Sequence, residues 1–196
     1  MKATVILAHP YEKSFNHAIF HQVVTTLDKL KVSVYAHDLY QEQFDPVLSK
    51  EELGKAESQD PLVRQYTVEM VDSALLVFIH PNWWGQPPAI MKGYIDRVFR
   101  PPFAYDFPQG DSGGGAPIPK LGAKTGLVFN TSNTPAEREI GVFKDPLEAE
   151  WIDCVFGFCG ITKAFRKTFR VVSESDAAIR ADWLEEVRDI TKKHCP

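Results

Sequence analysis

The sequence predicts a three-layer α/β fold, a single domain over residues 1–196 with a five-stranded parallel sheet of order 2-1-3-4-5 and helices on both faces. Three observations point there. Strand-like apolar runs alternate with helix-period segments from end to end, which favours parallel pairing through right-handed crossovers. One run, Ala74 to Ile79, is continuously apolar, the pattern of a strand buried on both faces. It leads into His80-Pro81-Asn82-Trp83-Trp84-Gly85, which sets two tryptophans in a tight bend just where open α/β sheets collect ligands.

Taken in order, the first strand is Thr4 to Ala8. Phe15 to Leu30 follows as a helix, with Ile19, Val23, Leu27 and Leu30 along one stripe and Ser14 as its N-cap. Val32 to Asp38 is the second strand and Ala74 to His80 the third. Pro87-Pro88 then opens a helix whose apolar side chains recur at helical spacing as far as Phe99. Thr125 to Asn130 and Ala164 to Val172 complete the sheet. Ser173-Glu174-Ser175-Asp176 reads as an S-x-x-D capping box for the last helix, which carries Ile179, Trp183, Val187 and Ile190.

Two segments are irregular. Tyr40 to Pro61, with Phe44-Asp45-Pro46-Val47-Leu48-Ser49, reads as an ordered excursion over the sheet edge before the next helix. Pro101 to Lys120 contains Asp111-Ser112-Gly113-Gly114-Gly115, flexible by composition. This glycine run lacks the Lys-Ser/Thr ending and the strand-to-helix setting of a P-loop.

Composition narrows the function classes. With 44% hydrophobic residues, 24% charged and a net charge of -4, the chain has no basic excess for a nucleic-acid backbone. No run reaches membrane-spanning length, and the start Met1-Lys2-Ala3 passes directly into strand sequence without a signal-peptide pattern, so a cytoplasmic protein without membrane insertion is expected. Cys154, Cys159 and Cys195 are too few and wrongly spaced for a disulfide framework, a four-cysteine zinc site or an iron-sulfur cluster; no metal site is expected.

Three loops past strand ends carry the chemistry. His9-Pro10-Tyr11-Glu12-Lys13-Ser14-Phe15-Asn16-His17-Ala18 leads into a helix whose free N–H groups and positive dipole end favour an anion, with Ser14 and Asn16 as further donors. The tryptophan loop supplies flat apolar rings, although paired tryptophans also fill cores and interfaces. Asn130-Thr131-Ser132-Asn133-Thr134-Pro135 is dense in hydrogen-bonding groups suited to the polar edge of a heteroaromatic ring, and equally to an Asx or Ser turn. Together they suit a flat, phosphorylated cofactor.

In His9-Pro10, Ser14 to Ala18, Pro81 to Phe99, Phe103-Ala104-Tyr105 and Phe158-Cys159-Gly160, the chain resembles the flavodoxin-like NAD(P)H:quinone oxidoreductases nearly end to end. The resemblance implies a homodimeric flavoenzyme with sites at the subunit interface. His9, Ser14, Phe15, Asn16 and Ala18 match the family's cofactor-phosphate loop. Pro81, Asn82, Trp83, Trp84 and Gly85 match the segment along the isoalloxazine, with Trp84 at the family's tryptophan and Trp83 where a glutamine is common. Asn130, Thr131, Ser132 and Asn133 match the loop at the flavin's pyrimidine edge. Tyr105 and Phe107 match rings lining the nicotinamide and quinone pocket, and Arg180 falls where FAD-binding members carry an arginine, favouring FAD over FMN.

The implied reaction is ping-pong, two-electron hydride transfer from NAD(P)H through the flavin to a quinone or similar small-molecule acceptor. The tyrosine and histidine that longer members place after the third loop are missing between Thr131 and Glu150, where Arg138 and Lys144 are the nearby cations; no catalytic residue is assigned. The alternatives are a flavin-binding ancillary subunit of a potassium-efflux system, an azo- or nitroreductase, and a flavodoxin-type electron carrier.

Overall fold

The computed structural model describes residues 1–111 and 113–196; Ser112, in the glycine-rich segment expected to be flexible, lies outside the described residues. Its elements are β1 (Lys2–Leu7), α1 (Phe15–Lys29), β2 (Ser33–Asp38), α2 (Pro61–Asp72), β3 (Leu75–Pro81), α3 (Ala89–Val98), β4 (Tyr105–Asp106), β5 (Ile118–Pro119), β6 (Thr125–Ser132), α4 (Ala136–Gly141), α5 (Pro146–Glu148), a π-helix Ala149–Phe156, β7 (Lys163–Arg170) and α6 (Ala177–His194), with short 3-10 turns at Lys50–Glu52 and Val172–Glu174. The main sheet is parallel in the order β2-β1-β3-β6-β7, the predicted 2-1-3-4-5. A small antiparallel hairpin, β4-β5, stands apart from it.

Alternation along the strands builds two cores. Val5 and Leu7 of β1, with Leu75, Val77 and Ile79 of β3, pack on Ile19, Val23 and Leu27 of α1 and Val187 of α6. Ile6, Leu76 and Phe78 face the other way, onto Tyr66 and Met70 of α2, Met91 and Tyr94 of α3, and Trp151 and Phe156 of the π-helix. Burying each such side chain contributes about 1.5–3 kcal/mol. His80 continues the Leu76-Phe78 face and so arrives beside Trp151 with no exposure.

Ser14 caps α1 by accepting from His17 N. The last helix is capped three residues later than expected: Asp176 Oδ1, not the Ser173 hydroxyl, accepts the helix N–H, from Ile179 at 2.8 Å, because Val172–Glu174 closes a separate 3-10 turn. α2 begins as Asp60-Pro61 dictates, with Asp60 Oδ1 accepting from Leu62 N at 2.9 Å.

The Tyr40 to Pro61 excursion, largely exposed, is held down at a few buried side chains, Phe44, Glu52 and Ser58. Gly93 lets it approach α3: a Cβ there would lie 2.3 Å from both the Cβ and the backbone oxygen of Pro46. Gly93→Ala is expected to cost at least about 1–3 kcal/mol, since backbone must move to relieve the clash; a urea midpoint unchanged from the native protein would contradict this packing.

Candidate functional site

A cleft of about 370 Å³ opens at the carboxyl ends of the central strands. His9 lines it from the loop after β1 and Phe15 and Asn16 from the first turn of α1, Pro81 from the end of β3 with Asn82 and Trp83 from the loop that follows, and Thr131 to Thr134 from the end of β6 and beyond. The three predicted loops therefore converge. A fourth segment, Val172-Ser173 after β7, closes one side, with Ser173 N donating to Asn133 Oδ1 at 3.0 Å. Sequence reading assigned those two residues to a strand end and a helix cap; the left-handed backbone of Val171 (φ 59°), which no glycine announces, turns them into the cleft.

At the α1 end, Asn16 is buried, donates to Thr131 Oγ1 at 2.9 Å, and keeps an Oδ1 with no partner. His9 Nδ1 accepts from Tyr11 N at 3.1 Å, leaving Nε2 as the position for the ring proton. Burial, together with the nearby His17, holds the basicity of His9 below that of an ordinary histidine. Ser14 and Ala18 do not line the cleft: Ser14, next to the lining residues Phe15 and Asn16, uses its hydroxyl as the helix cap, accepting from His17 N at 3.3 Å, and the Ala18 N–H is already bonded to Ser14 O at 3.3 Å, inside the helix.

The tryptophan loop is a two-residue hairpin turn, with Trp83 N donating to Gln86 O at 3.0 Å and Gln86 N to Trp83 O at 3.1 Å. Trp84 and Gly85 both have positive φ, 57° and 73°. Asn82 Oδ1 accepts from Gly85 N at 2.9 Å, and Asn82 N donates to Thr131 O at 2.7 Å, stitching the loop to β6. This turn parts the two rings. Trp83 lines the cleft near His9, with centroids 6.2 Å apart, whereas Trp84 is fully exposed and borders an adjoining hollow of about 600 Å³. That hollow shares Asn82 and Thr134 with the cleft and is otherwise lined by Gly85, Arg138, Glu139, Phe143 and Pro146. Arg138 is thus carried to the hollow, while Lys144 is tied to Gly141 O at 2.7 Å.

Asn130 departs from its expected place at a ligand's polar edge. β6 continues to Ser132, so side chains still alternate here, and Asn130 points away from the cleft into the core, fully buried. Its Nδ2 lies 3.2 Å from His80 O and 3.1 Å from His80 Nε2, and Trp151 Nε1 donates to that same Nε2 at 2.9 Å. Nδ1 faces Pro81 O at 2.8 Å, so His80 is neutral with its proton on Nδ1. Thr131 and Ser132 hold the edge instead, Ser132 Oγ accepting from Thr134 N at 3.0 Å.

Tyr105 and Phe107 cluster with Phe158, Tyr105 and Phe158 having centroids 4.7 Å apart, and neither ring lines the cleft. Arg180 is exposed, its Nη2 donating to Ser175 O at 2.6 Å two residues beyond Ser173, and it does not line the cleft either. A larger apolar hollow of about 540 Å³ involves α2, Arg100 and Phe103 rather than the strand ends. Among the described residues no His/Cys/Asp/Glu group is placed to hold a metal ion, and no helix is long and apolar enough to cross a membrane.

The family model Flavodoxin_2, described as a flavodoxin-like fold, matches residues 1–191. A Haemophilus influenzae protein named as an uncharacterized NAD(P)H oxidoreductase is 32% identical over 190 residues, covering 94% of this chain and 91% of that one. A ribosyldihydronicotinamide dehydrogenase [quinone] of Mus musculus is 30% identical, covering 99% and 95%. In structure, an FMN-dependent NADH-azoreductase of Bacillus anthracis in complex with FMN superposes with a TM-score of 0.74 over 98% of this chain and 99% of its own, at 16% identity.

Proposed function

This chain belongs to the Flavodoxin_2 family of flavodoxin-like fold, and from that premise we propose that it is a flavin-dependent NAD(P)H:quinone oxidoreductase. One observation carries the reading: a helix N-terminus, an unpartnered buried Asn16 amide, the Trp83 ring and the polar Thr131–Thr134 edge meet in a single cleft at the switch point of the sheet. The names of the two relatives, an NAD(P)H oxidoreductase and a quinone dehydrogenase, and the FMN held by the fold neighbour support it.

The donor set fits a phosphorylated flavin. The first N–H groups of α1, at the end of the cleft lined by Phe15 and Asn16, meet a phosphoryl group with Ser14 beside them, and Asn16 adds two further donors when its amide oxygen and nitrogen exchange places, because Thr131 Oγ1 bonds either atom equally well. Trp83 stacks the ring system, while Thr131, Ser132 and Asn133 meet its polar edge. The flavin, when bound, supplies the hydride relay between NAD(P)H and the acceptor. The protein's part is to orient it, shield one face with Trp83, and leave one open slot for nucleotide and quinone in turn, a ping-pong order. Planar azo and nitro acceptors fit the same slot. FAD is favoured over FMN because the resemblance sets Arg180 at the arginine of FAD-binding members, where its exposed side chain donates to Ser175 O outside the cleft. A homodimer with shared sites, which the resemblance implies, would have to bring Tyr105 and Phe107 of a second copy to the cleft, since within one copy they stand apart from it.

The reading is tested by reconstituting the protein with FAD or FMN and adding NADH or NADPH anaerobically: the flavin band bleaches, then recovers with a benzoquinone. A bound flavin that neither nucleotide reduces would move the function to an electron carrier or ancillary subunit. Trp83→Ala is expected to weaken flavin binding by about 1 kcal/mol, roughly fivefold, and by more than Trp84→Ala does. The reverse order in fluorescence titrations would return the stacking role to Trp84.

A further inference from the structure

The Ser14 hydroxyl lies at the end of a hydrogen-bonded chain that runs back into the protein. Ser14 Oγ is 2.9 Å from His17 Nδ1, and His17 Nε2 is 2.9 Å from Asp38 Oδ2. Asp38 Oδ1 is taken by the backbone N–H groups of Tyr40 at 3.0 Å and Gln41 at 3.3 Å. The carboxylate therefore accepts on both oxygens, and His17 Nε2 must carry a hydrogen. Only Nδ1 has a choice. In the neutral ring it is an acceptor, and it takes the single proton that Ser14 owns. In the imidazolium, Nδ1–H donates to Ser14 Oγ, alongside the His17 backbone N–H at 3.3 Å, and the hydroxyl proton is released to point elsewhere.

We infer that His17, backed by Asp38, is a positioning residue for phosphoryl binding, because its imidazolium form alone frees the Ser14 O–H to donate to a phosphoryl oxygen at the start of α1. Binding a phosphorylated ligand then takes up a proton whenever His17 is neutral in the free protein. The inference rests on the flavin reading above. An observation independent of this chain points to a ligand at the same place: Asn16, 2% exposed, lines the cleft one residue before His17 with its Oδ1 unpartnered. The titratable groups facing His17 are Asp38 at the end of β2 and His9 in the loop after β1, the latter with its ring centroid 6.3 Å away; His21, one turn further along α1, is exposed. Burial and the neighbouring His17 lower the basicity of His9.

The experiment titrates FMN into the protein between pH 7 and 9, where the phosphate is already a dianion, with riboflavin as the probe that lacks it. The FMN dissociation constant is expected to rise about tenfold across this range as a charge-assisted hydrogen bond is lost, while riboflavin binding stays level. Calorimetry in buffers of different ionisation enthalpy should show a net proton uptake averaging about half a proton per FMN over this range, the amount a tenfold change across two pH units requires, and a readout that needs no variant. In His17→Asn the amide takes the place of Nδ1 without titrating, so the pH dependence flattens; Ser14→Ala flattens it as well, at lower affinity. An FMN slope in His17→Asn equal to that of the native protein, or riboflavin tracking FMN, would overturn the role of His17 and leave the flavin reading standing. Failure of the native protein to bind either flavin at any pH would overturn that reading, and the role of His17 with it.

Discussion

Replacing Arg97 by methionine is expected to destabilise the protein by about 3–5 kcal/mol, because it leaves the Glu52 carboxylate buried without its counter-ion. Glu52 is 2% exposed and Arg97 5%. The pair is bidentate, with Arg97 Nε 2.9 Å from Glu52 Oε2 and Nη2 2.8 Å from Oε1, while Nη1 donates to Asp45 O at 2.6 Å and lies 3.2 Å from Asp60 Oδ2. Burial opposes ionisation of Glu52, yet the guanidinium, the Ser58 hydroxyl and the Ser49 N–H outweigh it and hold the carboxyl at about 2. A depressed carboxylate gives its stability in full above the ordinary value of 4.5 and loses it as pH falls towards about 2, so this contribution fades only in acid. The cluster pins the excursion between β2 and α2 to α3, the helix that follows the tryptophan loop. Chemical denaturation measures the loss directly, and a change below about 1 kcal/mol would mean the excursion does not depend on the pair.

The second large effect concerns the core behind the end of β3. Trp151→Ala is expected to cost about 3–5 kcal/mol, for it empties a fully buried site and deprives His80 Nε2 of its donor. Trp151 also stacks on Phe78, with centroids 4.6 Å apart. The same site predicts a pH dependence of its own. Burial, aided by the positive charge of Arg166 and opposed by the Pro81 carbonyl, lowers His80 from 6.5 to about 4. Between those values the unfolded chain binds a proton that the folded chain refuses. Stability from this group is therefore complete above about pH 6.5 and falls as pH drops towards 4, by an amount on the order of 3 kcal/mol. Melting curves at pH 7.5 and 5 should show the drop in the native protein and a smaller one in His80→Phe; equal drops would place the acid sensitivity elsewhere.

The sheet was legible because its strands are apolar runs and its turns carry proline and glycine. Five such strands fit the flavodoxin-like order 2-1-3-4-5, and that order brings the three loops together, as the structure has them. What escaped depends on two-residue periodicity and on backbone strain. Asn130 stands in the sequence at the junction of strand and loop, but β6 runs on to Ser132, and the continued alternation turns its amide inward. Trp83 and Trp84 are indistinguishable as letters, and the left-handed backbone at Trp84 and Gly85 decides which ring enters the cleft. Val172 and Ser173 carried no signal of their own. The π-helix, with Trp151, Val155 and Phe156 on its buried side, has no propensity signature, and its wider turn is settled by packing against the sheet.

The strand order also has a cost during synthesis on the ribosome. β3 occupies the centre of the sheet, every residue of it buried, with β1 on one side and β6 on the other. β1 and β2 leave the ribosome before it, but Thr125, where β6 begins, is translated only after α3 and the hairpin are complete. Until then the nascent chain shows an unpaired edge that is apolar from Leu75 to Ile79, the template on which a second nascent chain can align. The strand that later floors the cleft is thus the segment most exposed to misassembly while the chain is being made, and the pace of translation between Pro81 and Thr125 sets how long it stays open.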